Sequence, residues 1–237
     1  MGDSGIVVQP VGEGNFEASV QFLSWWVSDG AAEARTFLSD HAEPAGASLI
    51  AVHGDDVVGY VAILWESNFA GFRDRGIPLV HQLTVARPFR RQGVATLLMD
   101  AAEQLARERD VTTLGITVGL FDEYGPAQRL YGQRGYVPDG RGACRAQEPL
   151  GRGMQVIMDH DLIMWLTKDL VQLRPVPHLS GSPVRHDRTH APEPDREADV
   201  THISSDDVVA IATVADGRRW CSGWSSPVSA LPQQVPP

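Results

Sequence analysis

Between Leu79 and Leu105 the chain passes from a strand to a helix through a turn carrying Arg87, Arg90 and Arg91. Leu79 to Val85 is apolar and β-prone, and Pro88 closes it. Beyond the turn, Val94, Leu97, Leu98, Ala101 and Leu105 recur with the period of an amphipathic helix. That helix opens at Gln92-Gly93, where its first amides lack acceptors and its dipole is positive. Gly93 and the small Ala95 let an anion approach the backbone, while Arg90 and Arg91 add charge. The segment reads as a pyrophosphate cradle. It lacks the Walker lysine, because no Gly-Lys pair occurs in the chain, so P-loop nucleotide hydrolysis is excluded. Taken alone, Arg-x-x-Gly-x-Ala suits a helix cap with solvated arginines equally well.

The surrounding 173 residues alternate strands and helices. Ile6 to Val11 reads as a strand, Phe16 to Val27 and Ala31 to His41 as helices broken at Ser28-Asp29-Gly30. Leu49 to His53 and Val57 to Trp65 form a hairpin about Gly54-Asp55-Asp56. The second of these is apolar on both faces, which places it inside a sheet. Leu114 to Val118 is a further strand. Pro126 then opens a short helix at its first position, and Gly135 sits at the C′ position after it. Leu162 to Leu166 is the last strand. This order implies an α/β fold of mixed, α+β-like character, with helices on both sides of the sheet.

Composition changes near residue 174. Seven prolines precede it and nine follow in the last 64 residues. The stretch from Arg174 to Asp199 is rich in proline and charge, as a linker or disordered segment is. A β-prone run from Asp206 to Val214 and Trp220 and Trp224 come after it, with docking or looseness both open. His186, Asp187 and His190 have a metal-like spacing but fall in this segment, so no metal site is expected. Cys144 and Cys221 are too few and too distant for a disulfide framework, which suits a reducing cytosol. No basic and apolar leader opens the chain, Ile6 stands where a myristoylation signal needs Ser or Thr, and the longest apolar run is far short of the ~20 residues of a membrane span. A cytoplasmic protein with no membrane partner is expected. The formal charge of −10 repels phosphate backbones, so nucleic acid is not an expected partner. A homodimer is compatible with the sequence.

With its strand and helix, the Arg90–Ala95 segment resembles the signature of the GCN5-related N-acetyltransferase (GNAT) superfamily, Arg/Gln-x-x-Gly-x-Gly/Ala. Leu83-Thr84-Val85 is similar to the family strand that pairs with the pantetheine arm of acetyl-CoA. Ala127-Gln128-Arg129-Leu130-Tyr131, followed by Gly135-Tyr136, resembles the second signature, and one helix and one strand lie between the two. The resemblance covers residues 5–170 and leaves residues 174–237 as a Pro/Arg-rich extension. It implies the GNAT fold, a central, mostly antiparallel mixed sheet flanked by helices. It also implies acetyl-CoA as co-substrate, held by Leu83, Thr84, Val85, Arg90, Arg91, Gln92, Gly93, Val94, Ala95, Thr96, Ala127 and Leu130.

Acetyl transfer to an amine needs the amine deprotonated, an oxyanion stabilised and a thiolate released. The oxyanion donor would be a strand amide near Leu83. The resemblance puts Tyr131 in the general-acid position; packing is the competing role for a tyrosine that shares a face with Ala127 and Leu130. Relatives often carry a strand glutamate as base, and none stands here. His81 is the titratable residue of that strand, with an unperturbed pKa near ~6.5. Strict alternation would put it on one face with Leu79 and Leu83. Glu66, Asp122 and Glu123 are alternative bases, and a water chain could replace all of them. Trp25-Trp26 could floor an acceptor pocket or fill the core. Two functions follow: an acetyl-CoA-dependent N-acetyltransferase acting on a primary amine of a small molecule or protein, or a regulatory acyl-CoA-binding module without turnover. The acceptor has no code in the sequence.

Overall fold

The computed structural model describes residues 5–24 and 30–170. Trp25-Trp26, the extension from 174 onward, its histidines and Cys221 lie outside the described residues. Strands β1 (Ile6–Pro10), β2 (Gly46–His53), β3 (Asp56–Leu64), β4 (Leu79–Val85), β5 (Thr113–Gly119), β6 (Val137–Arg145), β7 (Glu148–Pro149) and β8 (Leu162–Asp169) form one sheet. Their spatial order is β1-β2-β3-β4-β5-β8-β6-β7. Only β4 and β5 run parallel; the other neighbouring pairs are antiparallel. The expected mixed, mostly antiparallel sheet is therefore the one observed. Helices α1 (Phe16–Ser24) and α2 (Ala31–Asp40) cover one face, and α4 (Val94–Glu108) the other. The short α3 (Ala70–Arg73) precedes β4, and α5 (Gly125–Gln133) follows β5.

β3 shows why its two apolar faces were needed. Val58, Val61 and Ile63 pack toward α4, while Tyr60 and Ala62 pack toward α1 and α2. A third cluster lies beyond them, where Phe69 stacks on Trp165 at 4.0 Å and Phe72 meets the same indole edge-on. Gly115 makes this possible: a Cβ there would stand 2.0 Å from the Phe72 ring. Any side chain at 115 would expel that phenylalanine.

Several details depart from the sequence reading. The buried stripe of α4 is Val94, Leu98, Met99, Ala102 and Ala106, whereas Leu97 is exposed. The helix is rotated about one position from the stripe that leucine spacing suggested, with Ala102 and Ala106 fully buried and Ala101 and Leu105 at the edge of the cluster. Pro126 occupies the second rather than the first position of α5, behind Gly125. Gly135 does stand just past the helix with φ +84°. Strands β6 and β7 and helix α3 had no counterpart in the reading.

β4 carries the most consequential difference. Its pairing with β3 shifts register between Tyr60 and Ala62, and Gln82 sits at φ +53° in the left-handed region. One residue is thus inserted as a bulge, which reverses the side-chain alternation after it. Leu79 and His81 face one way, but Leu83 joins Val80 and Val85 in the cluster under α4. The expected common face of Leu79, His81 and Leu83 does not exist.

Candidate active site

The single parallel contact in the sheet creates the site. β4 and β5 pair only at Leu79–Gly115 and Val80–Ile116, then diverge. Beyond Val80 the edge of β4 facing β5 has no strand partner. The chain then runs through a 3-10 turn at Arg87–Phe89 into α4. A cleft of about 350 Å³ opens between the end of β4, the start of α4 and the flank of α5.

Leu83, Thr84 and Val85 form its floor, and Arg90, Arg91, Gly93, Val94, Ala95 and Thr96 its rim at the α4 terminus. Ala127 and Leu130 close the α5 side. The structure therefore gathers the residues expected to hold acetyl-CoA around one cavity, with Gln92 excepted. Gln92 turns away, its amide donating to the Pro88 carbonyl at 2.6 Å. Phe89, Pro126, Arg129 and Gln133 also line the cleft and were not named from sequence. Pro126, Arg129, Leu130 and Gln133 fall at i, i+3, i+4 and i+7, one stripe of α5, so helical periodicity could have found them.

The rim is electropositive and short of partners. Gly93 caps α4 at φ +86°, and no side chain caps the helix. The amides of Val94, Ala95 and Thr96 have no carbonyl one turn earlier. The Arg90 Nε donates to the Val85 carbonyl at 2.9 Å, which fixes the guanidinium against the strand end. Its Nη1 is buried with no hydrogen-bond partner among the described residues. Burial, and then the charge of Arg87, hold the Arg90 pKa below its ordinary value. A buried guanidinium donor beside three free helix amides is a configuration that an anionic oxygen completes. The Thr84 hydroxyl, also buried without a partner, lies on the floor. These orphaned groups fit the diphosphate and amide oxygens of an acyl-CoA.

The two residues given catalytic roles do not line this cleft. Tyr131 is fully enclosed in the cluster under α4, its ring 5.9 Å from that of Tyr136. Its hydroxyl has no partner among the described residues, and burial raises its pKa well above the ordinary phenol value. The phenol thus keeps its proton at any physiological pH. His81 is buried on the opposite face of β4, with Nδ1 2.7 Å from Nε2 of His41. His41 had no signal in the sequence, since it lies 40 positions away at the end of α2. Glu66, Asp122 and Glu123 are exposed. Among the described residues no group of three His, Cys, Asp or Glu comes together to hold a metal ion. No described helix is long and apolar enough to cross a membrane.

Known proteins share this fold. The chain is similar to an aminoglycoside 6'-acetyltransferase type Ii, with 15% identity and a TM-score of 0.52 over 70% of this chain and 98% of that one. It is also similar to a ribosomal-protein-alanine N-acetyltransferase from Brucella melitensis, with 18% identity and a TM-score of 0.52 over 69% and 99%. An acetyltransferase of the GNAT family from Streptococcus pneumoniae matches at 20% identity and a TM-score of 0.50, over 69% and 99%. At these identities the likeness is one of fold. No curated protein matches the sequence. The profile of the acetyltransferase (GNAT) family matches residues 16–136, half of the chain, and spans both the α4 cradle and α5. The chain belongs to the acetyltransferase (GNAT) family.

Proposed function

We propose that the protein transfers the acetyl group of acetyl-CoA to a primary amine of a small molecule or protein, by direct attack within a ternary complex. The observation that carries this is the unpaired Arg90 Nη1 beside the free amides of α4, at the end of a strand whose edge is open. In that reading Leu83 to Val85 offer backbone groups to the pantetheine arm, and the α4 terminus takes the diphosphate. An amide near Leu83 would stabilise the oxyanion as the amine attacks the thioester carbonyl. In this reading His81 takes the proton of the amine and Tyr131 protonates the departing CoA thiolate, roles that rest on their sequence positions, since neither side chain lines the cleft. Burial keeps the Tyr131 proton in place, as a donor requires, and also encloses the hydroxyl, so the Tyr131→Phe variant decides between donor and packing roles. The reaction as read needs no metal. The composition supports a cytoplasmic amine as the acceptor.

Trapping of free thiol tests the proposal directly. The protein is mixed with acetyl-CoA and, in turn, spermidine, kanamycin, lysine and an alanine-headed peptide. Amine-dependent thiol release is expected with at least one of them. Saturable acetyl-CoA binding with no release from any amine would favour the regulatory module instead.

Tyr131→Phe keeps the packing and removes only the hydroxyl. A general acid at this position predicts a kcat about 10- to 1000-fold lower, with acetyl-CoA affinity barely changed. Equal kcat in both proteins returns Tyr131 to a packing role.

A further inference from the structure

The cleft carries more positive charge than a diphosphate alone requires. Arg90, Arg91 and Arg129 line it, and among the described residues no carboxylate does. At the α4 rim, the free amides and the buried Arg90 Nη1 already offer donors enough for a diphosphate ester. Arg129 stands apart from that group, on the α5 wall, with Pro126 one turn before it and Gln133 one turn after. Its guanidinium has no ion pair or hydrogen bond among the described residues. Arg134, at the end of the same helix, shows the contrast, since Asp100 and Glu103 hold it.

The place of Arg129 says which part of a donor it would meet. Arg129 and Gln133 are exposed, whereas Leu83, Val85 and Ala127 are buried. The apolar floor suits the thioester arm and the α4 rim suits the diphosphate, so the nucleoside end of the donor lies at the mouth. In coenzyme A that end carries a 3′-phosphate, a monoester of charge about −1.5 to −2 at pH 7. Such a group presents three oxygens, and the planar fork of an arginine meets two of them with parallel hydrogen bonds. Residues four apart on a helix share a face, so the Gln133 amide can donate to the third.

We propose that Arg129, aided by Gln133, binds the 3′-phosphate of the acyl donor and makes the cleft selective for acyl-CoA over the same thioester without that phosphate. The proposal rests on the reading of this cleft as the acyl-CoA site. Recognition is divided between two helices: the α4 cap takes a diphosphate from any donor that has one, and α5 reads the nucleotide beyond it.

Calorimetry on the full-length protein and on its Arg129→Ala and Arg129→Glu variants uses two probes, acetyl-CoA and acetyl-3′-dephospho-CoA. The wild type should bind acetyl-CoA about 10-fold more tightly than the dephosphorylated probe, between the yield of an exposed ion pair and that of a buried charged hydrogen bond. Arg129→Ala should lose that preference by weakening acetyl-CoA alone, with the affinity for the dephosphorylated probe near its wild-type value. The site is an exposed helix position, where alanine is well tolerated, so the variant should fold. Arg129→Glu should reverse the preference, because a carboxylate repels a phosphate dianion more than the hydroxyl that replaces it. A wild type that binds both probes equally overturns the proposal. So does an Arg129→Ala variant that keeps the preference, or one that weakens both probes alike, since the guanidinium would then serve the diphosphate. The acyl-CoA reading stands in each of those cases, because both probes still bind. If neither probe binds the wild type saturably, that reading itself falls.

Discussion

Gly93→Glu should abolish acyl-CoA binding. At φ +86° the residue stands at the α4 cap, and a Cβ there would meet nothing within 4 Å. A carboxylate on that open path brings negative charge to where the free amides and Arg90 would hold a diphosphate. The like-charge contact and lost access should weaken binding at least about 100-fold, or ~2.8 kcal/mol. Gly93→Ala separates the two causes, because it carries the left-handed backbone strain, about 1 kcal/mol, without the charge. It should bind far better than Gly93→Glu. Arg91→Ala should weaken binding less than Gly93→Glu, since the amides remain. Calorimetry that finds wild-type affinity in Gly93→Glu would refute the cradle.

The largest effect on stability should come from Glu103. This carboxylate is almost fully buried on α4 and faces three cations. Lys168 of β8 donates to it at 2.6 Å, Arg134 at 3.0 Å and Arg107 at 3.4 Å. Lys168 and Arg134 are themselves mostly covered. Glu103→Ala would leave both cations partly buried around a cavity, and breaking such a pair costs about 3–5 kcal/mol. Urea unfolding should show that loss, and a change below about 1 kcal/mol would contradict it. Burial pushes the Glu103 pKa up, but the hydrogen bonds from Arg134 and Lys168 outweigh it, so the value lies below the ordinary 4.5. A carboxyl lowered on folding stabilises fully above its unfolded pKa and loses that contribution as pH falls through the folded one. The stability gap between wild type and Glu103→Gln should therefore be constant near neutrality and close as the pH drops below about 4.5.

Much of this architecture was legible because it rests on local chemistry. The strand–turn–helix from Leu79 to Leu105 declares itself by a change of period from two toward 3.6 and by a glycine at the join. Gly135 announces the end of α5 for the same reason. What escaped depended on neighbours. Val137 is exposed and most of β6 buries little, so no apolar pattern marked it as a strand. The face of α4 was misjudged because a leucine looks more like core than an alanine, yet Ala102 and Ala106 are fully buried while Leu97 is exposed. The lining stripe of α5 was missed for another reason: Arg129 and Gln133 are polar, and a polar stripe beside a cleft looks like ordinary solvated surface. The contact between His81 and His41 could not be read at all. Nothing local links position 41 to position 81, and only the closing of α2 over β4 brings the two rings together.

The bulge at Gln82 splits β4 into two reading frames. In an unbroken strand, altering the residues of one face also shifts how the whole segment sits against its neighbours. Here Leu79 and His81 answer to α2 and the aromatic cluster, while Leu83 and Val85 answer to α4 and the cleft floor. Sequence drift ahead of position 82 can remodel the α2 side while the backbone after it keeps its alignment with the α4 cap. A chain with this kink can change the side chains on one face of β4 in small steps while the cleft floor on the other stays as it was.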